Sequence, residues 1–154
     1  MRLFAVAAGV TLGLVIIVLL SRDSTPTLTR AKLDEAYQRW RDHGPTSYNM
    51  ELATTGSRKD KIRVKVRDGA VTAMSINDYD FPADRLTDTW TVPGQFEYMR
   101  SDLKAAASPE YSAVMRLSAE FDEEFGFPRI YRCTAGGKRA PVSWKVHRFE
   151  SLAP

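Results

Sequence analysis

The residues whose types could do chemistry sort into a few groups. Cys133 and His147 fall on two segments that read as neighbouring strands, so a thiol and an imidazole that could activate it stand within imagining distance. Asp78-x-Asp80 and Asp122-Glu123-Glu124 offer the oxygen ligands a hard cation prefers, but neither has the alternating ligand loop of a calcium site. His43, His147 and the lone Cys133 show no Cys-x-x-Cys or His-x-x-x-His spacing, so no metal site is expected. Gly136-Gly137-Lys138-Arg139 is basic and glycine-rich without the spacing of a phosphate-cradling loop. No Gly-x-Ser-x-Gly elbow occurs. The sequence therefore predicts no catalytic residue and no cofactor. The enzyme reading that survives as an alternative is a hydrolase using carboxylates of Asn77 to Asp88 or of Asp122 to Glu124, or the Cys133/His147 pair.

The chemistry that does stand out is electrostatic. Lys61, Arg63, Lys65 and Arg67 recur at every second position, with Arg58 and Lys59 at their approach. On a strand that period puts all four on one face. Such a row is either a solvated face paired with neighbours such as Glu51, or an anion-binding face. Its candidate partners are an anionic lipid surface, a cell-wall polymer or an acidic envelope protein.

Elements that would position this row follow from periodicity. Leu33, Ala36, Tyr37 and Trp40 form an apolar stripe at i, i+3, i+4 and i+7, which predicts a helix over Thr29 to His43 with Thr27 or Thr29 as N-cap and Gly44-Pro45 as its stop. His43 in its last turn suits the helix dipole and is read as structural. Three strands follow, Ser47 to Thr54, Lys61 to Arg67 and Ala70 to Ile76, the last two joined by an Asp68-Gly69 hairpin turn. Asn77 to Asp88 reads as an acidic loop. Thr91 caps a second helix over Val92 to Ala106, with Val92, Phe96, Met99 and Leu103 as its stripe and Pro93 tolerated in the first turn. Three more strands, from Met115 to Phe121, Arg129 to Cys133 and Val142 to Phe149, complete the pattern. Clean alternation argues for antiparallel strands with one buried and one wet face. The expectation is an α+β domain in two layers, helix–three strands–helix–three strands, with both helices on one face of a single antiparallel sheet.

Location comes from the first residues. Leu3 to Leu20 (LFAVAAGVTLGLVIIVLL) holds eighteen residues without a charge or a proline. As a helix it would span roughly 27 Å at about 1.5 Å per residue, near the ~30 Å of a hydrocarbon core. A cleaved signal peptide usually has a shorter core and a small-x-small site, which Val18-Leu19-Leu20-Ser21-Arg22 lacks. Residues 1–21 are therefore expected to be an uncleaved transmembrane signal anchor, 22–28 a linker and 29–150 one domain. The alternative is secretion after cleavage. Arg22, Arg30 and Lys32 argue for a cytoplasmic domain. The two-residue N-terminal tail argues for export, and an extracytoplasmic, single-pass inner-membrane protein is the expectation. Eight residues from Ser21 to Leu28 reach at most about 28 Å, which keeps the domain near the membrane.

Net charge is +3 over 154 residues. Setting aside Arg2 and Arg22 leaves 20 basic against 19 acidic residues, too even a balance to predict nucleic-acid binding. The single Cys133 rules out an intrachain disulfide and reads as a small buried apolar residue.

Several local patterns occur together. Trp40 is followed by His43-Gly44-Pro45-x-Ser47-Tyr48. Val64-x-Val66-x-Asp68-Gly69-x-Val71 forms a hairpin pattern. Thr91-Val92-Pro93-x-x-Phe96 opens a helix, and Phe121-Asp122-x-x-x-Gly126-Phe127-Pro128 forms a turn. In this order, over about Leu28 to Phe149, they resemble an exported bacterial family catalogued as domain of unknown function 6174. The resemblance implies export to the cell envelope and an α+β domain; it implies no activity, because the family has none assigned. Many members carry Cys-x-Cys after the first strand. Here Thr54-Thr55-Gly56-Ser57 stands there, so no metal or redox role tied to those cysteines carries over. The functional expectation is a membrane-anchored, non-enzymatic binding module of the envelope.

Overall fold

A computed structural model describes residues 25–56, 59–136 and 140–152. The expected membrane span lies outside the described residues. Among the described residues no helix is long and apolar enough to cross a membrane.

Helix α1, Arg30–His43, begins at Thr29, whose side chain accepts the Lys32 N–H at 3.3 Å. Leu33, Ala36 and Trp40 are buried, as the stripe requires. The helix stops where the Gly44 N–H closes on the Trp40 carbonyl at 2.7 Å. A Cβ at Gly44 would run into the Trp40 ring and backbone, so the close approach needs glycine. Strands β1 (Tyr48–Gly56), β2 (Lys61–Arg67), β3 (Ala70–Ile76) and β4 (Tyr79–Asp80) follow as an antiparallel meander. Two one-turn 3-10 helices, Ala83–Arg85 and Asp88–Trp90, lead to helix α2, Val92–Ala106. Thr91 caps it by accepting the Gly94 N–H at 3.1 Å. Strands β5 (Arg116–Phe121), β6 (Pro128–Thr134) and β7 (Val142–Ser151) complete the chain.

The sheet has seven strands in the order β4-β3-β2-β1-β7-β6-β5, all antiparallel. The six expected from periodicity are one short. The extra strand, β4, is two residues long and carries no alternation to read. It forms because Asn77 and Asp78 both take positive φ (50° and 67°), the geometry of a two-residue turn that fits the twist of a hairpin. Each half runs helix then strands, and the halves join head to tail, first strand of one against last strand of the other, through the long β1–β7 pairing.

Tyr48, Met50 and Leu52 of β1, Ile62, Val64 and Val66 of β2, Tyr131 and Cys133 of β6 and Trp144 of β7 are buried on one face, where α1 and α2 cover them. Trp40 packs edge-on against Tyr48 at 5.6 Å, and Tyr37 of α1 meets Phe96 of α2 at 5.1 Å. Each fully buried apolar side chain of this kind contributes roughly 1.5–3 kcal/mol. In β7 the alternation breaks. Glu51 faces Arg148 but Leu52 faces Val146, so His147 is the extra residue of a β-bulge. The bulge swings Phe149 onto the helix side, where it stacks on Phe127 at 4.2 Å and on Tyr48 at 5.2 Å.

Pro26 to Leu28, read from the sequence as the end of the linker, lies along the outer edge of β5. Thr27 bridges Ser118, the Leu28 N–H donates to the Leu117 carbonyl at 2.9 Å, and the Ala119 N–H donates to that of Pro26 at 3.0 Å. Leu28 is buried.

Candidate functional site

The face of the sheet away from the helices carries no second layer among the described residues. Its strands put their polar set there by simple alternation, and the expected row arrives intact. Lys61, Arg63, Lys65 and Arg67 all point away from the buried Ile62, Val64 and Val66.

Most of the row is spoken for. Lys61 Nζ lies 3.4 Å from a Glu51 carboxylate oxygen on the adjacent strand. Arg63 pairs with Asp78 of the β3–β4 turn, and its Nε donates to Ser75 Oγ at 3.2 Å. Arg67 donates to the carbonyls of Tyr48 (3.1 Å) and Val66 (2.7 Å) and to Asn49 Oδ1 (2.8 Å). Asn49 in turn donates to Glu150, which Arg148 approaches at 3.6 Å. Half-exposed pairs of this kind contribute less than about 1 kcal/mol each. Lys65 is the exception. It is exposed, opposite Asn49 on one side and Ala73 on the other, and its ammonium makes no ion pair or hydrogen bond among the described residues. Lys145 on β7, across from Ala53 and Ile130, is in the same state.

The face as a whole is more basic than the row alone. Besides the row it takes in Lys145 and Arg148 of β7, Arg129 and Arg132 of β6 and Arg116 of β5: nine cations against Glu51, Asp78, Asp80, Glu120 and Glu150. Among the described residues the acidic excess sits in the loops, at Asp60, Asp68, Asp84, Asp88, Glu110 and Asp122-Glu123-Glu124 against Lys59 and Arg85. The helices are near balance, with Arg30, Lys32, Arg39, Arg41, Arg100 and Lys104 against Asp34, Glu35, Asp42, Glu97 and Asp102. Positive charge is thus concentrated on the open face and negative charge in the loops, which the near-neutral total conceals.

Two shallow grooves flank Lys65. One of about 390 Å³ runs over Arg63, Lys65 and Ser75 under a wall made by Phe81 and Leu86. The other, about 190 Å³, lies between Arg63, Lys65, Arg148 and Glu150. Tyr79 stands at the β4 edge with 63% of its surface exposed.

The other sequence-named residues do not assemble. Cys133 is buried under the helices, and its N–H donates to Ser143 Oγ at 3.0 Å. His147 is exposed at the bulge. Tyr131 faces Trp144, so Cys133 lies past Trp144 toward Val142, several rungs along the strands from His147. Asp122 accepts the N–H groups of Glu124 (3.1 Å) and Phe125 (2.8 Å), the work of a turn residue. Asp78 holds Arg63, and Asp80 faces Ser75. No group of three or more His, Cys, Asp or Glu able to hold a metal ion occurs among the described residues. Of Gly136 to Arg139, all but Gly136 lie outside the described residues, as does Arg58.

Sequence reading missed two buried polar residues on α2. Gln95 and Asp102 occupy helix positions three after Val92 and Met99, within the apolar stripe, and that placement was the available signal. Gln95 Nε2 donates to the Trp90 carbonyl at 3.2 Å. Asp102 accepts the Tyr131 hydroxyl at 2.6 Å. Burial above all, then the bond to Asp102 and its charge, pushes the Tyr131 phenol far above its ordinary range.

The four sequence patterns noted above act as fasteners around one end of the helix layer. Ser47 Oγ accepts the Asp68 N–H at 3.0 Å, the Thr46 carbonyl accepts the Gly69 N–H at 2.8 Å, and Tyr48 Oη accepts the Val92 N–H at 3.0 Å. Gly126, at φ 84°, sits against the α1 backbone at Ala36 and Trp40.

A family model described as a family of unknown function, DUF6174, matches residues 32–131. No curated protein and no solved structure matches the chain.

Proposed function

The chain belongs to the DUF6174 family, a family of unknown function, and from that premise we propose that it is a membrane-anchored binding module of the cell envelope. Its extracytoplasmic domain lies with the open, basic face of the sheet against the anionic headgroups of the membrane that holds it. The observation that carries this reading is the concentration of basic residues on the open face of the sheet, nine against five acidic ones. A basic residue near an anionic bilayer adds about 1 kcal/mol of attraction, so an excess spread over one flat face orients a domain as well as binding it.

The point of attachment supports the same reading. Because Pro26 to Leu28 are docked on β5, only Ser21 to Thr25 separate Leu20 from the domain. Five residues reach at most about 18 Å. The β5 edge is then held at the membrane while Tyr79, whose ring suits the headgroup layer, stands at the opposite edge.

The test is hydrogen exchange on the full chain in lipid nanodiscs of purely zwitterionic or mixed anionic composition. The expected result is slowed exchange in β2 and β7 with anionic lipid only, reversed by salt. Equal exchange in both lipids overturns the reading. Protection appearing only on addition of a soluble anionic polymer or an acidic envelope protein would assign the face to that partner instead.

A further inference from the structure

A separate concavity, of about 370 Å³, opens at the end of the helix layer, between the last turn of α1, the β2–β3 turn and the start of α2. It lies on the helix side of the sheet and is independent of the basic face. Trp40, Tyr48 and Val66 give it an apolar floor. Three polar groups around it are unspent. The Arg41 guanidinium makes no ion pair or hydrogen bond among the described residues, and neither does the Asp88 carboxylate. Their charged neighbours are engaged: Arg39 with Glu35, Asp42 with Gln38, Arg67 with Asn49. The third is the Tyr48 hydroxyl. Tyr48 is 2% exposed, and its oxygen accepts the Val92 N–H while its own proton has no acceptor among the described residues.

The Asp88 carboxylate is near enough for its field to help hold the proton on Tyr48, whose pKa burial pushes up to about 12 against the lowering effect of the Val92 N–H. At neutral pH the hydroxyl is therefore a donor. A cation and an anion border an apolar floor without pairing with each other, and a buried donor lines the space between the elements that carry them. Pockets of this size and lining orient a small ligand through a few placed polar groups.

We propose that this cleft binds a small zwitterion with an apolar body, of amino-acid size. The ligand's carboxylate meets Arg41 and accepts from Tyr48, its ammonium meets Asp88, and its side chain lies on Trp40 and Val66.

The test is calorimetric titration of the detergent-solubilised full chain with L-leucine and L-phenylalanine. N-acetyl-L-leucine, which lacks the ammonium, and isoamylamine, which lacks the carboxylate, serve as comparisons. The expected result is binding of at least one amino acid and a loss of about tenfold or more in affinity for both truncated probes. Arg41→Gln and Asp88→Asn each weaken amino-acid binding to a similar extent. Both residues are exposed, so an unchanged circular dichroism spectrum shows that the fold is kept. Lys104→Gln, at the far end of α2, leaves binding unchanged. No binding of either amino acid, equal binding of the truncated probes, or full binding by both variants overturns the proposal. None of these outcomes bears on the basic face.

Discussion

Tyr131 of β6 and Asp102 of α2 are joined by a hydrogen bond of 2.6 Å between two residues that are essentially without solvent contact. It is a polar rivet through the interface of sheet and helix. Removing one side of such a bond takes a partner from a buried polar group, at a cost of about 1–3 kcal/mol. Tyr131→Phe leaves the Asp102 carboxylate without this donor and is expected to cost about 2–3 kcal/mol. Asp102→Asn keeps an acceptor oxygen opposite the hydroxyl and is expected to cost less. Urea unfolding of each variant checks the order through the midpoint at unchanged slope. A Tyr131→Phe protein as stable as the parent would show that the rivet contributes nothing.

Two buried phenols make the domain sensitive to alkali. Tyr48 loses its proton near pH 12 when folded and near 10 when unfolded, and Tyr131 is displaced in the same direction. A raised acid pKa means that the folded state holds its proton longer. The corresponding stability is fully present below pH 10 and is lost as pH rises from there through 12. For Tyr48 alone the displacement corresponds to roughly 2–3 kcal/mol. The expected outcome is steep unfolding above pH 10, with tyrosinate absorbance appearing together with loss of the near-ultraviolet dichroism. Ionisation of all tyrosines well before unfolding would contradict the burial.

Gly126 meets two demands at once. Its φ of 84° lies where a side chain is strained, and a Cβ there would press into the Ala36 carbonyl and stand 3.0 Å from the Arg39 Cβ. Gly126→Ala is expected to destabilise the domain by more than the ~1 kcal/mol of an ordinary glycine exchange. Gly69→Ala, with a similar φ of 80° but open space around it, should cost only the backbone term. Parallel thermal melts of the two variants decide it: equal losses would mean that α1 yields to the added methyl.

Much of this architecture was legible because its signals are local. Thr29, Thr91 and Gly44-Pro45 bound the helices, and Asp68-Gly69 makes the hairpin turn at positive φ (51° and 80°). What the sequence hid is what depends on pairing. A bulge is one residue too many against a partner strand, so His147 displaces Phe149 to the helix side without any local mark. Pro26 to Leu28 show no period over three residues, yet the open edge of β5 gives them a place. The basic row was visible at its period of two, but its partners were only partly so: Glu51 could be named, while Asp78 reaches Arg63 from within a tight turn read as plain loop. The cleft of Arg41, Tyr48 and Asp88 draws on three separated stretches, and no spacing within one segment announces it.

Those partners rank the cations of the open face. Lys61 and Arg63 already face carboxylates, so an anionic surface must compete with Glu51 and Asp78 for them. Arg67 is turned back onto two carbonyls and Asn49. Lys65 and Lys145 have nothing to give up. If the face meets an anionic bilayer, Lys65→Gln and Lys145→Gln should each weaken the anionic-lipid protection of β2 and β7 more than Lys61→Gln does. The double variant should flatten its salt dependence. Arg67→Gln should act chiefly on stability, since its bonds are internal. Nanodisc exchange at two salt concentrations, with a thermal melt of each variant, separates these effects. If Lys61→Gln proved the most damaging for lipid contact, the pairing with Glu51 would have to open on the membrane. Equal effects from all of the cations would mean that only the summed charge of the face matters, not which cation is free.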